Sequence, residues 1–180
     1  MALVLLGAND ACLPVPTNTQ GIPIDQYKEN LIKILNHDHI KAHNPKILLV
    51  TPPPIDEIRI TELDLAAGHA QAVRQAAVSA SFSETARKVA AEIPGVVLID
   101  LQKAILDKAV SLTTDFDASG PPLGYPTGKR GALEQLLPDG LHMSGEAYKV
   151  FFDIVTPHIG PFPAGQTVFP EWRVLNPGTL

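Results

Sequence analysis

The chain has a single cysteine, Cys12, in 180 residues, so no internal disulfide can staple it. One thiol suits a reducing compartment such as the cytoplasm. No Lys/Arg cluster is longer than two residues, and a net charge of −5 with a pI near 5.6 leaves no basic footprint for nucleic acid or an anionic membrane surface. No apolar run approaches the length of a membrane span. The first residues lack the length and basic flank of a signal peptide; a targeting segment of a longer protein would lie upstream of Met1. Internal repeats and low-complexity segments are also missing. What is present is material for one folded domain: 45% hydrophobic residues and a mean hydropathy of +0.10, enough to bury a core.

Strand-like and helix-like segments alternate, which predicts an α/β domain with a mainly parallel sheet. The apolar run 2–7 reads as a strand buried on both faces. Pro23 opens a helix with Tyr27, Leu31, Ile34 and Leu35 on one face. Lys46 to Thr51 is a second strand, halted by Pro52-Pro53-Pro54. The Ala-rich stretch from about Thr61 to Glu92 reads as one long or two shorter helices. Val96 to Asp100 is a third strand, Leu101 to about Val110 a helix, 113–132 a Gly/Pro-rich excursion, and Ser144 to about Val155 a last helix. Residues 161–180 form a Pro-rich tail, expected to be irregular and packed on the domain through Phe162, Phe169 and Trp172.

Two segments carry chemistry. Leu137-Pro138-Asp139-Gly140-Leu141-His142 sets an aspartate three residues before a histidine in a loop that runs into a helix. A histidine that takes a proton from a nucleophile needs its other ring nitrogen held by a carboxylate, which fixes the tautomer and stabilises the imidazolium. Asp139 and His142 meet that requirement, although a turn-capping aspartate beside an ordinary loop histidine has the same spelling. The second segment is Gly7-Ala8-Asn9-Asp10, at the carboxyl end of the first strand, the edge where open α/β sheets keep their chemistry. Asn9 there can aim its amide at a developing oxyanion, a contact worth roughly 3 to 4 kcal/mol where mutation has removed it. An Asx-turn without function is the alternative.

Together, Gly-x-Asn-Asp near the start and Asp-x-x-His near the end resemble the third and fifth sequence blocks of the SGNH (GDSL) hydrolases. With Lys46-Ile-Leu-Leu-Val-Thr-Pro-Pro-Pro54 between them, the wording is most similar to the isoamyl-acetate-hydrolysing esterase group, in family order up to about His158. The resemblance implies a three-layer α/β sandwich of flavodoxin-like type, over residues 1–160, and hydrolysis of short- to medium-chain carboxylic esters through a seryl acyl-enzyme. His142 would be the general base, Asp139 its orienting partner and Asn9 an oxyanion donor. Gly7 would allow close backbone approach, and Asp10 would support the loop. A small-molecule ester is the implied partner, with no metal and no organic cofactor.

The family's Gly-Asp-Ser nucleophile block occurs nowhere, nor does the glycine that follows its second strand. Ser79, Ser81, Ser83, Ser111, Ser119 and Ser144 lie in helical or loop contexts without a sharp strand-to-helix turn. Two missing βα units would add about 60 residues, at roughly 30 each. The expectation is therefore a carboxyl-terminal portion of such a domain, inactive alone, with its first strand an unblunted edge prone to pairing, for example with a second copy as a homo-oligomer.

Other constellations point elsewhere. His39 and His43 stand four apart, a spacing that can serve a metal-dependent hydrolase, but His37, His39 and His43 fall where a helix should end and favour its dipole. Cys12 could approach His142 as a substitute nucleophile, though a lone cysteine is more often a buried packing residue. His69 and His158 read as surface or packing residues.

Overall fold

The computed structural model describes residues 1–15 and 20–160, and the reading of 161–180 as a packed tail lies outside them. Three strands, β1 (Ala2–Leu5), β2 (Ile47–Val50) and β3 (Val96–Ile99), form a parallel sheet in the order β1-β2-β3. Leu5, Val50 and Ile99 stand in register at its carboxyl edge. Between strands run α1 (Ile24–Leu35), α2 (Asp38–His43), α3 (Glu57–Ala66) and α4 (Ala76–Glu92); after β3 come α5 (Leu101–Leu112), α6 (Leu133–Leu136) and α7 (Gly145–Val155).

The period-two alternation of the strands separates two cores. Leu48, Val50 and Ile99 face α5, α6 and α7 with Leu133, Leu136 and Leu137, while Leu49 faces α1 and α4 with Tyr27, Leu31, Phe82 and Val89. Helices on both sheet faces make the three-layer sandwich. No helix among the described residues is long and apolar enough to cross a membrane.

Several expectations change. β1 is two residues shorter than 2–7, because Gly7 turns the chain at φ +115°. It is not buried on both faces: Leu3 and Leu6 are exposed, since no described strand pairs beyond it. The Ala-rich stretch is two helices, and the first starts four residues before Thr61 because Asp56 caps it, accepting from the Arg59 N–H at 3.3 Å. α2 is a separate helix and not the end of α1: the ring Nδ1 of His37 caps it by accepting from the His39 N–H. The short α6 also follows the Gly/Pro-rich excursion unannounced.

Candidate active site

The chain leaves β1 at Leu5 and reverses at once. The Ala11 N–H donates to the Gly7 carbonyl at 3.0 Å and the Cys12 N–H to the Asn9 carbonyl at 3.1 Å, closing a turn with Asn9 in it. Gly7 is required here. A Cβ would lie 2.9 Å from the Tyr27 hydroxyl, which itself donates to the Leu6 carbonyl at 3.1 Å. Burial first, and the Asp10 charge second, push the Tyr27 phenol pKa upward, so it stays a donor. Asp10 ties the turn to the segment before α1 through its backbone carbonyl, which accepts from the Ile22 N–H at 3.0 Å.

Across the carboxyl edge, the Asp139–His142 loop hangs from Leu136 and Leu137, both fully buried. The Gly140 N–H donates to the Leu137 carbonyl, and the Gly140 carbonyl accepts from the Asp56 N–H at 2.8 Å. One oxygen of Asp139 accepts from the Leu141 and His142 backbone N–H groups at 2.9 and 2.7 Å, an Asx-type turn. Its other oxygen meets His142 Nδ1 at 2.6 Å. An ionised carboxylate only accepts, so Nδ1 carries the proton in either state of the ring, and Nε2 is the acceptor whenever the ring is uncharged. Capping the turn and orienting the imidazole are thus done by one side chain.

The Asp139 carboxyl is held down at about 2: burial opposes ionisation, but the His142 hydrogen bond, the two backbone N–H groups and the His142 charge outweigh it. A folded pKa below the unfolded value of about 3.9 stabilises the fold fully above about pH 4, and that contribution is lost as pH falls through about 2. Its size is small because 46% of the side chain is exposed and screened by water. Carbon-13 NMR of the side-chain carboxyl should therefore give a midpoint near 2, moving upward in His142→Ala; a wild-type midpoint near 4 would contradict the pairing.

The two loops face one another. Leu5, Leu6, Ala8 and Asn9 line one side of a cleft of about 250 Å³, Leu141, His142, Met143 and Tyr148 the other, with Pro53 from the β2 exit between them. The His142 side chain is 80% exposed into this opening. Asn9 and His142 are 133 positions apart in sequence and line one cavity. Arg74, which no motif marks, also enters the site: its Nη2 donates to Asn9 Oδ1 at 3.1 Å and its Nε to the Ala8 carbonyl at 3.4 Å. Its only sequence signal is a lone charge in Gln71-Ala-Val-Arg-Gln-Ala-Ala77, too little to single it out.

Other candidates lie elsewhere. Cys12 is buried, bridges Arg74 through its backbone, and is not part of the cleft lining. None of the six serines lines the cleft; Ser144 caps α7 by accepting from the Ala147 N–H, and Ser83 donates to the Pro52 carbonyl. His37, His39 and His43 sit just before β2, at the opposite end of the strand from Pro53. Among the described residues no three His, Cys, Asp or Glu side chains come together as a metal set.

The architecture is that of the GDSL (SGNH) hydrolases, an α/β fold with its loops gathered at the carboxyl edge of a parallel sheet. The chain belongs to the GDSL-like lipase/acylhydrolase family, whose profile matches residues 1–155. Over 179 residues it is 26% identical to the isoamyl acetate-hydrolyzing esterase of Saccharomyces cerevisiae, covering 98% of this chain and 60% of that protein. It is 46% identical over 55 residues to the GDSL esterase/lipase At5g45920 of Arabidopsis thaliana, covering 30% of this chain and 23% of the plant protein. A solved structure described as a platelet activating factor from Streptococcus pneumonia superposes with a TM-score of 0.56 at 17% identity, over 87% of this chain and 57% of that one. The chain therefore spans less than two thirds of the length of these proteins.

Proposed function

We propose that the cleft is the acid-base and oxyanion half of an ester-hydrolase active site. His142 takes the proton from a serine nucleophile and later activates water, Asp139 orients it, and Asn9 donates to the oxyanion. Gly7 lets the backbone pass close to the site, and Asp10 supports the loop. The observation that carries this reading is the 2.6 Å Asp139–His142 pair set in the same cleft as Asn9. Leu5, Leu6, Pro53, Leu141 and Met143 make the lining mostly apolar, and about 250 Å³ lies at the small end for a ligand pocket, which favours a short- to medium-chain acyl group. The names of the yeast and plant relatives support an ester substrate. A reducing, cytoplasmic setting rests on the single buried Cys12.

Because no serine lines the cleft among the described residues, the 180-residue chain by itself is expected to hydrolyse p-nitrophenyl acetate and butyrate no faster than its His142→Ala variant. Titration of the labelled chain with ethyl butyrate should shift amide resonances of Asn9, Leu141, His142, Met143 and Tyr148 together. Shifts elsewhere would remove the cleft as the substrate site, and His142-dependent turnover would reveal an unassigned nucleophile.

A second reading is supported by the outer edge of β1, where Met1, Leu3 and Leu6 are exposed and no described strand pairs. A non-catalytic module that self-associates through this edge predicts a stable dimer by size-exclusion chromatography with light scattering. A monomer at all concentrations would rule it out.

A further inference from the structure

We infer that Arg74 is a positioning residue that fixes the direction of the Asn9 carboxamide. The inference rests on the oxyanion reading of Asn9 and adds the group that would make it work. A carboxamide has a donor end and an acceptor end of nearly equal size, and a free one turns over between them. A donor to an oxyanion is useful only if its N–H is already aimed when charge develops. Guanidinium has five donors and no acceptor, so the atom that Arg74 Nη2 meets at 3.1 Å must be the Asn9 oxygen. Nδ2, for which no described residue accepts, is left for the cleft that Asn9 lines.

The mount of Arg74 is stiff. Its neighbour Val73 is buried; the Val73 N–H donates to Asp64 Oδ2 at 2.7 Å, and the Val73 carbonyl accepts from the Leu13 N–H at 2.8 Å. On the other side, the Ala76 N–H donates to the buried Glu57 carboxylate at 2.7 Å. Arg74 itself bridges Cys12 by backbone, which ties the Asn9 turn to the segment before α4. Among the described residues no carboxylate pairs with Arg74, and the guanidinium reaches two neutral oxygens of the turn, the Ala8 carbonyl and Asn9 Oδ1. A lysine keeps the charge but not the fork that spans both oxygens.

The test uses the chain as it exists, labelled with nitrogen-15, and butyramide as a neutral carbonyl probe. Wild type should show an ordered Asn9 side-chain amide whose signals move on adding butyramide. Arg74→Met and Arg74→Lys should both loosen that amide and weaken butyramide binding about five-fold, the scale of one net hydrogen bond. Asn9→Ala should weaken it at least as much. An Arg74→Met protein with an unchanged amide and unchanged affinity overturns the inference. So does Arg74→Lys behaving as wild type, since charge and not the fork would then be acting. If both Arg74 variants loosen the amide but Asn9→Ala binds butyramide normally, the positioning stands and the oxyanion reading fails.

Discussion

Asp56→Ala should destabilise the chain by about 3–5 kcal/mol, measured by urea denaturation, although Asp56 touches neither Asn9 nor His142. Its carboxylate is fully buried, accepts from Arg130 Nε at 2.5 Å, and caps α3 through the Arg59 N–H. Without it, a guanidinium whose side chain is 19% exposed keeps one anionic partner, Glu134, which is itself 71% exposed and screened. Arg130 Nη2 already has no partner among the described residues. Breaking such a pair from one side leaves a buried charge, which costs far more than deleting both members. Adding Arg130→Met to Asp56→Ala should therefore recover at least 1 kcal/mol, a coupling that a double-mutant cycle reads directly. A loss below 1 kcal/mol for the single variant would show that the ion pair contributes nothing.

The same residue holds the other loop by its backbone, and this leads to the second large effect. Gly140→Ala is expected to cost about 3 kcal/mol and to disrupt the Asp139–His142 pair. Gly140 has φ +86°, where an L side chain is strained by roughly 1–2 kcal/mol. Its Cβ would stand 2.7 Å from the Asp56 carbonyl oxygen and 2.8 Å from Ile60 Cγ1, at the base of α3, so neither neighbour is a free side-chain end. The loop must lift off Asp56, and its hydrogen bond from the Asp56 N–H goes with it. Thermal melts should register the loss, and the downfield Nδ1 proton of His142 should weaken or vanish. Gly145→Ala is the control: nothing among the described residues lies within 4 Å of its Cβ, it opens α7, and it should be neutral or slightly stabilising. Equal melts for the two variants would refute the argument from Gly140.

Both effects locate the join between fold and site in the Asp56 region, which the sequence did not advertise. Asp56 follows Pro52-Pro53-Pro54 as one acid among several, and Arg130 lies 74 positions away in a Gly/Pro-rich stretch. Asp139 and His142 were legible because their contact is local: three residues apart, in a loop punctuated by Pro138 and Gly140, their meeting is set by turn chemistry. Asn9 was legible by position, since an apolar strand ending in Gly-x-Asn-Asp puts its polar residues at the carboxyl edge. Arg74 was not, because nothing within its own stretch needs a guanidinium; its partners, Ala8 and Asn9, lie more than sixty positions upstream.

The helices divide in the same way. α1 and α7 announce themselves by apolar residues at helical spacing and, for α7, by the Ser144 cap. α3 spreads Ile58, Ile60, Leu63 and Leu65 around its circumference, so no single apolar face marks its start, which is decided by the Asp56 cap. Local pattern alone determined the α/β alternation, the three strands and the Asp139–His142 pair, because periodicity and turn preference act over a few bonds. Tertiary structure alone decided that Asn9 and His142 line one cleft and that Arg74 grips Asn9. Each of those depends on which distant surfaces the sheet register and the two cores press together, and no short window of sequence contains both sides of such a contact.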